Sequence, residues 1–169
     1  MPKPIPEGYH SVTPAVVFKD AKKAIAFYKK AFDAQEKFCM TTPDGKVMHA
    51  ELQIGNSILM LGEENPAWPD HKSAESLGGS PISLNIYLAD ADAAFKKAVA
   101  AGAKAVKQPE DAFWGDRYGM VQDPFGLSWG LLTHKKDVSP EEMKKAALEM
   151  CSSSEKATAS AGHGNGRRK

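Results

Sequence analysis

Three polar side chains share one face of a short apolar run. In VMHAELQI, residues 47–54, His49, Glu51 and Gln53 alternate with Met48, Ala50, Leu52 and Ile54, the period-two pattern of a strand whose two faces differ. A histidine two positions from a carboxylate can act as a general base with an orienting partner, because the carboxylate raises the basicity of the imidazole. The same pair also fits a hydrogen-bonded polar contact without catalytic work, and as two candidate ligands without a located third it is a minimal start for a metal site. Met48, Ala50, Leu52 and Ile54 are expected to pack beneath a helix, which leaves the polar trio to face a concave cleft or solvent. The second chemical cluster is FWGDRYG, residues 113–119. Phe113, Trp114 and Tyr118 offer flat apolar surfaces, and Arg117 offers a guanidinium able to hold a carboxylate or phosphate through two bonds. Gly115 and Gly119 let the segment bend. A wall in which Asp116 pairs with Arg117, or a contact between two copies of the chain, would use the same residue types. His10, His71, His134 and His163 stand in positions that carry less chemical information.

The elements that must position these groups follow from an internal repeat. FKDAKKAIAFYKKAFDAQ (18–35) and LADADAAFKKAVAAGAKA (88–105) match at a constant offset of 70, pairing Asp20 with Asp90, Ala24 with Ala94 and Ala31 with Ala101. Ala21, Ala24, Ile25, Tyr28 and Phe32 form one apolar helical face behind the N-cap Asp20. Ala91, Ala94, Phe95, Ala98 and Val99 repeat it, with Gly102 as the C-terminal glycine. Strand-like AVVF and LNIYL precede the helices. After the first come EKFCMTT, VMHAELQI and SILMLGE, separated by the turns PDGK and GN, a three-stranded meander. After the second come KAVKQP, RYGMVQD and LSWGLLTH, the last two separated by PFG. Gly130 stands inside the final strand, where glycine marks a bulge or a close approach to the backbone.

The fold class expected is therefore α+β, with two tandem βαβββ modules at about 9–64 and 82–134. A proline-, glycine- and serine-rich connector, 65–81, joins them as a loop. They make a domain of 1–137 with a curled mixed sheet around a cleft. SPEEMKKAALEM then opens a C-terminal helix, 138–151, with Ser139 as N-cap, Pro140 in the first turn and Glu142 completing a capping box. The tail, 152–169, has almost nothing to bury and is expected to be disordered.

Composition narrows the function classes. The 169 residues carry a net charge of +1 and 42% hydrophobic residues, enough for one well-cored domain. The basic residues Lys156, Arg167, Arg168 and Lys169 gather in the tail, without the aromatic interleaving of a nucleic-acid surface. No run is apolar and long enough for a membrane span, and the N-terminus lacks the pattern of a secretory signal. Cys39 and Cys151 lie too far apart in sequence to read as a metal or redox motif. The expectation is a cytoplasmic protein that binds neither nucleic acid nor membrane.

The tandem modules, the FYKKAF of the first helix and the DPFG turn before the last strand resemble the vicinal oxygen chelate superfamily, which includes glyoxalase I, bleomycin-resistance proteins and extradiol dioxygenases. KVMHAELQIGNSILML paired with FWGDRYGMVQDPFGLSWGLLTH is similar to its PhnB-like branch, and the resemblance covers about residues 9–134. It implies a homodimer and a cleft in which metal-dependent members hold a divalent ion with four side chains. Those positions fall here on Thr13, Met60 (or Leu59 if the register shifts by one), Ser83 and Gly130, a set too soft or too weak in donors for such an ion. The implied reading is a member without the usual metal ligands that binds or sequesters a small organic ligand and needs no cofactor. Thr13, Gln53, Met60, Ser83, Phe113, Trp114, Arg117 and Gly130 are its expected cleft residues. The alternative is a lyase or isomerase on a small carbonyl compound that uses His49 and Glu51, with or without a divalent metal.

Overall fold

Asp20 and Asp90 begin equivalent helices. A computed structural model describes residues 3–161, and in it their side chains accept hydrogen bonds from the backbone N–H of Lys23 and Ala93 at 3.0 and 2.9 Å. Each cap satisfies an otherwise orphaned donor and contributes about 1 kcal/mol. The helices are α1 (Ala21–Phe32) and α3 (Ala91–Ala101), ended by left-handed residues, Asp33 and Gly102.

Around α1 lie β1 (Ala15–Phe18), β2 (Gln35–Thr41), β3 (Val47–Ile54) and β4 (Ser57–Glu63), hydrogen-bonded in the order β1-β4-β3-β2. Around α3 lie β5 (Ser83–Tyr87), β6 (Lys104–Asp111), β7 (Asp116–Gln122) and β8 (Ser128–His134), in the order β5-β8-β7-β6. In both, the first strand runs parallel to the last, and Ala15 pairs with Met60 as Asn85 pairs with Gly130. The offset of 70 read from the helices therefore holds through the sheet register. The modules form two four-stranded sheets that do not close on each other, rather than one continuous curled sheet.

One core serves both modules. Phe27, Tyr28 and Phe32 of α1 contact Phe125 and Trp129 of the second module, with Tyr28 and Trp129 ring centroids 5.2 Å apart. At its centre Asp123, the aspartate of the DPFG turn, is buried. One of its oxygens accepts from Tyr28 Oη at 2.6 Å and Trp129 Nε1 at 3.0 Å, and the other from the backbone N–H groups of Phe125 and Leu127, both at 2.9 Å. A buried carboxylate is tolerated when its lone pairs are matched in this way.

Three sequence expectations need correction. Met48 is exposed and Val47 buried, because the β2–β3 register slips between Met40 and Thr41; the extra residue of that bulge turns Met48 out of the apolar face. Val99 is likewise more than a third exposed, at the edge of the helical stripe. The connector 65–81 contains a short helix, α2 (Ala74–Leu77). It is anchored by the Ser73 N–H and hydroxyl donating to Glu64 Oε1 at 2.8 and 2.6 Å. These bonds, with Ser76 nearby, hold the Glu64 carboxyl down to about 2.

The Ser139–Glu142 capping box forms, with the Ser139 N–H and Oγ donating to Glu142 Oε2 at 3.0 and 2.8 Å. The helix it opens, α4 (Pro140–Ala161), runs past the boundary expected at 151, in keeping with the good helix formers Ala, Glu and Lys along it. Residues 162–169, which complete the tail and include His163, lie outside the described residues.

Candidate functional site

The cleft that draws on both modules has a volume of about 600 Å3, within the range of small-molecule sites. His10, Val12, Thr13 and Pro14 of the N-terminal arm form one side, and the β3–β4 hairpin from Ile54 to Leu59 forms another. Leu84, Asn85, Ile86 and Tyr87 of β5, with Trp129 of β8, complete it from the second module. Ile58, Leu59, Ile86 and Trp129 supply apolar surface. Amide and hydroxyl groups of Asn56, Ser57, Asn85 and Tyr87 stand among them. Such a lining suits an organic molecule with a few polar groups.

At the four positions where relatives would hold a metal, the donors do not fit one. The Thr13 hydroxyl donates to the His10 carbonyl at 3.0 Å, Met60 offers a thioether, and Ser83 is exposed on β5. Gly130 is buried. A Cβ built on it would collide with the Asn85 amide oxygen and press on the Tyr118 ring. What approaches Gly130 is thus the side chain of its own strand partner, so the side chain missing at Gly130 leaves no free volume there. Among the described residues no group of three or more His, Cys, Asp or Glu side chains is placed to share an ion.

His49 and Glu51 do meet, His49 Nε2 lying 3.1 Å from Glu51 Oε1. Both are part-exposed. The Tyr9 hydroxyl first, and His49 second, hold the Glu51 carboxyl below its usual range, while Glu51 raises the Tyr9 phenol. Across the strands His49 faces Met40 and Glu51 faces Met60. This cluster is a histidine, a carboxylate and a phenol, none of them among the residues that line the cleft. Gln53 follows on the same strand, its amide donating to the Gly55 carbonyl at 3.1 Å.

FWGDRYG does not form the internal pair expected of it. Arg117 does not pair with Asp116: it grips Asp92 with Nε and Nη2 at 2.6 and 2.8 Å, and Asp111 with Nη1 at 3.2 Å. Two carboxylates hold its guanidinium in its charged form, so it is not available to a ligand in the cleft. Asp116 is buried and accepts from Tyr87 Oη, Trp114 Nε1 and His134 Nδ1 at 3.0, 3.0 and 2.8 Å. Burial pushes its carboxyl up, but these three bonds outweigh burial and leave it low. Asp116 and then Asp137 raise the His134 imidazole. Phe113 and Trp114 line a separate hollow.

Residues 10–131 match the family model described as the glyoxalase/bleomycin resistance protein/dioxygenase superfamily. The chain belongs to that superfamily. An uncharacterized protein of Mycobacterium bovis is 43% identical over 138 residues, 80% of this chain and 91% of its own length. The solved structure of an Arabidopsis thaliana gene product is 30% identical, covers 72% of this chain and 97% of that one, and superposes with a TM-score of 0.59. The PhnB protein from Bacillus cereus, 16% identical with a TM-score of 0.56, covers 73% and 99% and shares the fold.

For this superfamily member, then, the structure places Thr13 in the cleft. Gln53, Met60, Ser83 and Gly130 lie on or beside the strands that frame it but outside its lining. His10, Ser57, Asn85, Tyr87 and Trp129 line it without having been singled out from sequence as ligand residues. For Asn85 and Tyr87 a signal existed, since both share a strand face with Ser83 at spacings of two.

Proposed function

We propose that this protein binds a small organic ligand in the two-module cleft. The observation that carries the reading is a cavity of about 600 Å3 whose apolar walls come from both halves of the chain and whose polar groups are amides, hydroxyls and the His10 imidazole. The absence of strong donors at the family's metal positions supports binding or sequestration over metal-assisted chemistry. A homodimer is part of the proposal, supported by the exposed apolar side chains Phe38, Met40, Tyr87 and Val106 on the two sheets. Membership of the PhnB-like branch is supported by the paired motifs and the shared fold. No described helix is long and apolar enough to cross a membrane, and the free thiol of Cys39 suits the reducing cytoplasm we assign to it.

A second reading rests on the hydrogen-bonded His49–Glu51 pair with Tyr9 beside it: acid–base chemistry, as in a lyase or isomerase acting on a small carbonyl compound. The two readings separate in one experiment. A thermal-shift screen of aromatic and glycopeptide-like compounds is run on the wild type, on Thr13→Arg, which blocks the cleft, and on His49→Ala. Binding in the cleft predicts stabilisation that Thr13→Arg removes and His49→Ala leaves intact. Hits insensitive to Thr13→Arg would sink the proposal. Turnover of a carbonyl substrate that disappears in His49→Ala would establish the second reading instead.

A further inference from the structure

A second hollow, of about 660 Å3, is bounded by the β6–β7 turn, the chain following β8 and Met150 of α4. One wall is a fixed aromatic surface. Phe113 and Trp114 meet edge to face with centroids 5.1 Å apart and planes at 85°, and the Trp114 indole N–H is tied to the buried Asp116 carboxylate.

The opposite feature is charge. Within the lining, Lys107 pairs with Glu110 at 2.8 Å, Asp111 with Arg117 at 3.2 Å, and Asp116 with His134 at 2.8 Å. Lys135 and Lys136 also line the hollow, and neither enters an ion pair among the described residues. Their backbone N–H groups both donate to the Gly115 carbonyl, at 3.0 and 3.1 Å, which anchors the two lysines beside the aromatic turn. Gly115 makes this approach possible. Its φ is +102°, and a side chain there would run into the Lys136 carbonyl. The acids of the lining are therefore matched by other partners, while Lys135 and Lys136, whose charges act on Asp92 and Glu142 without forming an ion pair, share the lining with the two rings.

We propose that this hollow is a second binding site, separate from the cleft, for a planar aromatic anion. Its ring lies against Phe113 and Trp114, and its carboxylate or phosphate takes the Lys135 and Lys136 ammonium groups. The site also has a route to the cleft: the Asp116 carboxylate that fixes Trp114 accepts from Tyr87, a cleft-wall residue.

The probe is phenyl phosphate, with inorganic phosphate and phenol as controls, titrated calorimetrically into the full chain. The expected result is saturable binding of phenyl phosphate, weaker binding of either control, and a loss of at least about tenfold in affinity in the Lys135→Gln/Lys136→Gln variant. Both lysines are exposed, so the variant folds, which a superimposable circular dichroism spectrum verifies. Thr13→Arg, in the other cavity, leaves the titration unchanged. The proposal is overturned if phenyl phosphate does not bind, if the double glutamine variant binds it as tightly as the wild type, if inorganic phosphate binds equally well, or if Thr13→Arg weakens it to the same degree.

Discussion

Replacing Tyr28 by phenylalanine removes one oxygen from the centre of the shared core and changes almost nothing else in volume. That oxygen donates at 2.6 Å to Asp123, a buried carboxylate. Burial first, and the Asp123 charge second, raise the Tyr28 phenol well above its ordinary range, so the hydroxyl keeps its proton and remains a donor. A hydrogen bond to a charged group contributes about 1.5–3 kcal/mol. For a chain of this size each kcal/mol shifts the melting temperature by about 2–4 °C, so Tyr28→Phe is expected to melt about 3–12 °C lower. In urea the midpoint should fall at constant slope. Asp123→Asn should cost more. The asparagine keeps one acceptor oxygen for the two backbone N–H groups, while its amino group faces Tyr28 and Trp129. The tyrosine hydroxyl can turn to accept; the Trp129 indole N–H cannot, and it meets another donor. A Tyr28→Phe variant as stable as the wild type, or an Asp123→Asn variant that is the milder of the two, would refute this role for the buried carboxylate.

Three further outcomes follow from the described contacts. His134 has a raised pKa in the folded state, so its stabilisation is complete below the ordinary imidazole value of about 6.5 and is lost as pH rises through the raised value; His134→Gln should remove that alkaline slope from melting curves. Glu64, at about 2 when folded against 4.5 otherwise, stabilises above pH 4.5 and loses its effect as pH falls towards 2. Protection of the Ser73 and Ser76 amides against exchange, relative to their intrinsic rates at each pH, should therefore fall in that acid window, and Glu64→Gln should abolish the dependence. Gly115→Ala should destabilise strongly, by well over 1 kcal/mol, because the added carbon has both an unfavourable φ and the Lys136 carbonyl against it; a denaturation midpoint equal to the wild type would show that the turn is free to move.

The offset of 70 was legible because each helix writes its own signature. Asp20 and Asp90 are caps, the apolar stripes follow, and the strand order and register repeat with them. Met48 was misplaced because a bulge inserts one residue without any sign in the alternation of VMHAELQI. Arg117 illustrates a different gap. Its chemistry was evident, but Asp92 lies on another element, and only the fold decides which carboxylate it meets. The cleft residues were partly hidden for the same reason, since His10, Ser57 and Tyr87 converge from three segments. The Asp116 network was hidden too: Tyr87, Trp114 and His134 are brought to the carboxylate at the start of β7 by β5, the β6–β7 turn and β8.

The bond between Tyr28 and Asp123 spans 95 residues of chain. During synthesis, at about 5–20 residues per second, the aromatic face of α1 leaves the ribosome roughly 5–20 s before the turn that covers it. Throughout that interval Phe27, Tyr28 and Phe32 lack the Phe125 and Trp129 rings that cover them in the folded chain. The first module, though complete in its own strands, is thus a waiting half whose greasy side is open to chaperones, and stalling between the modules is the moment at which this chain is most exposed to aggregation.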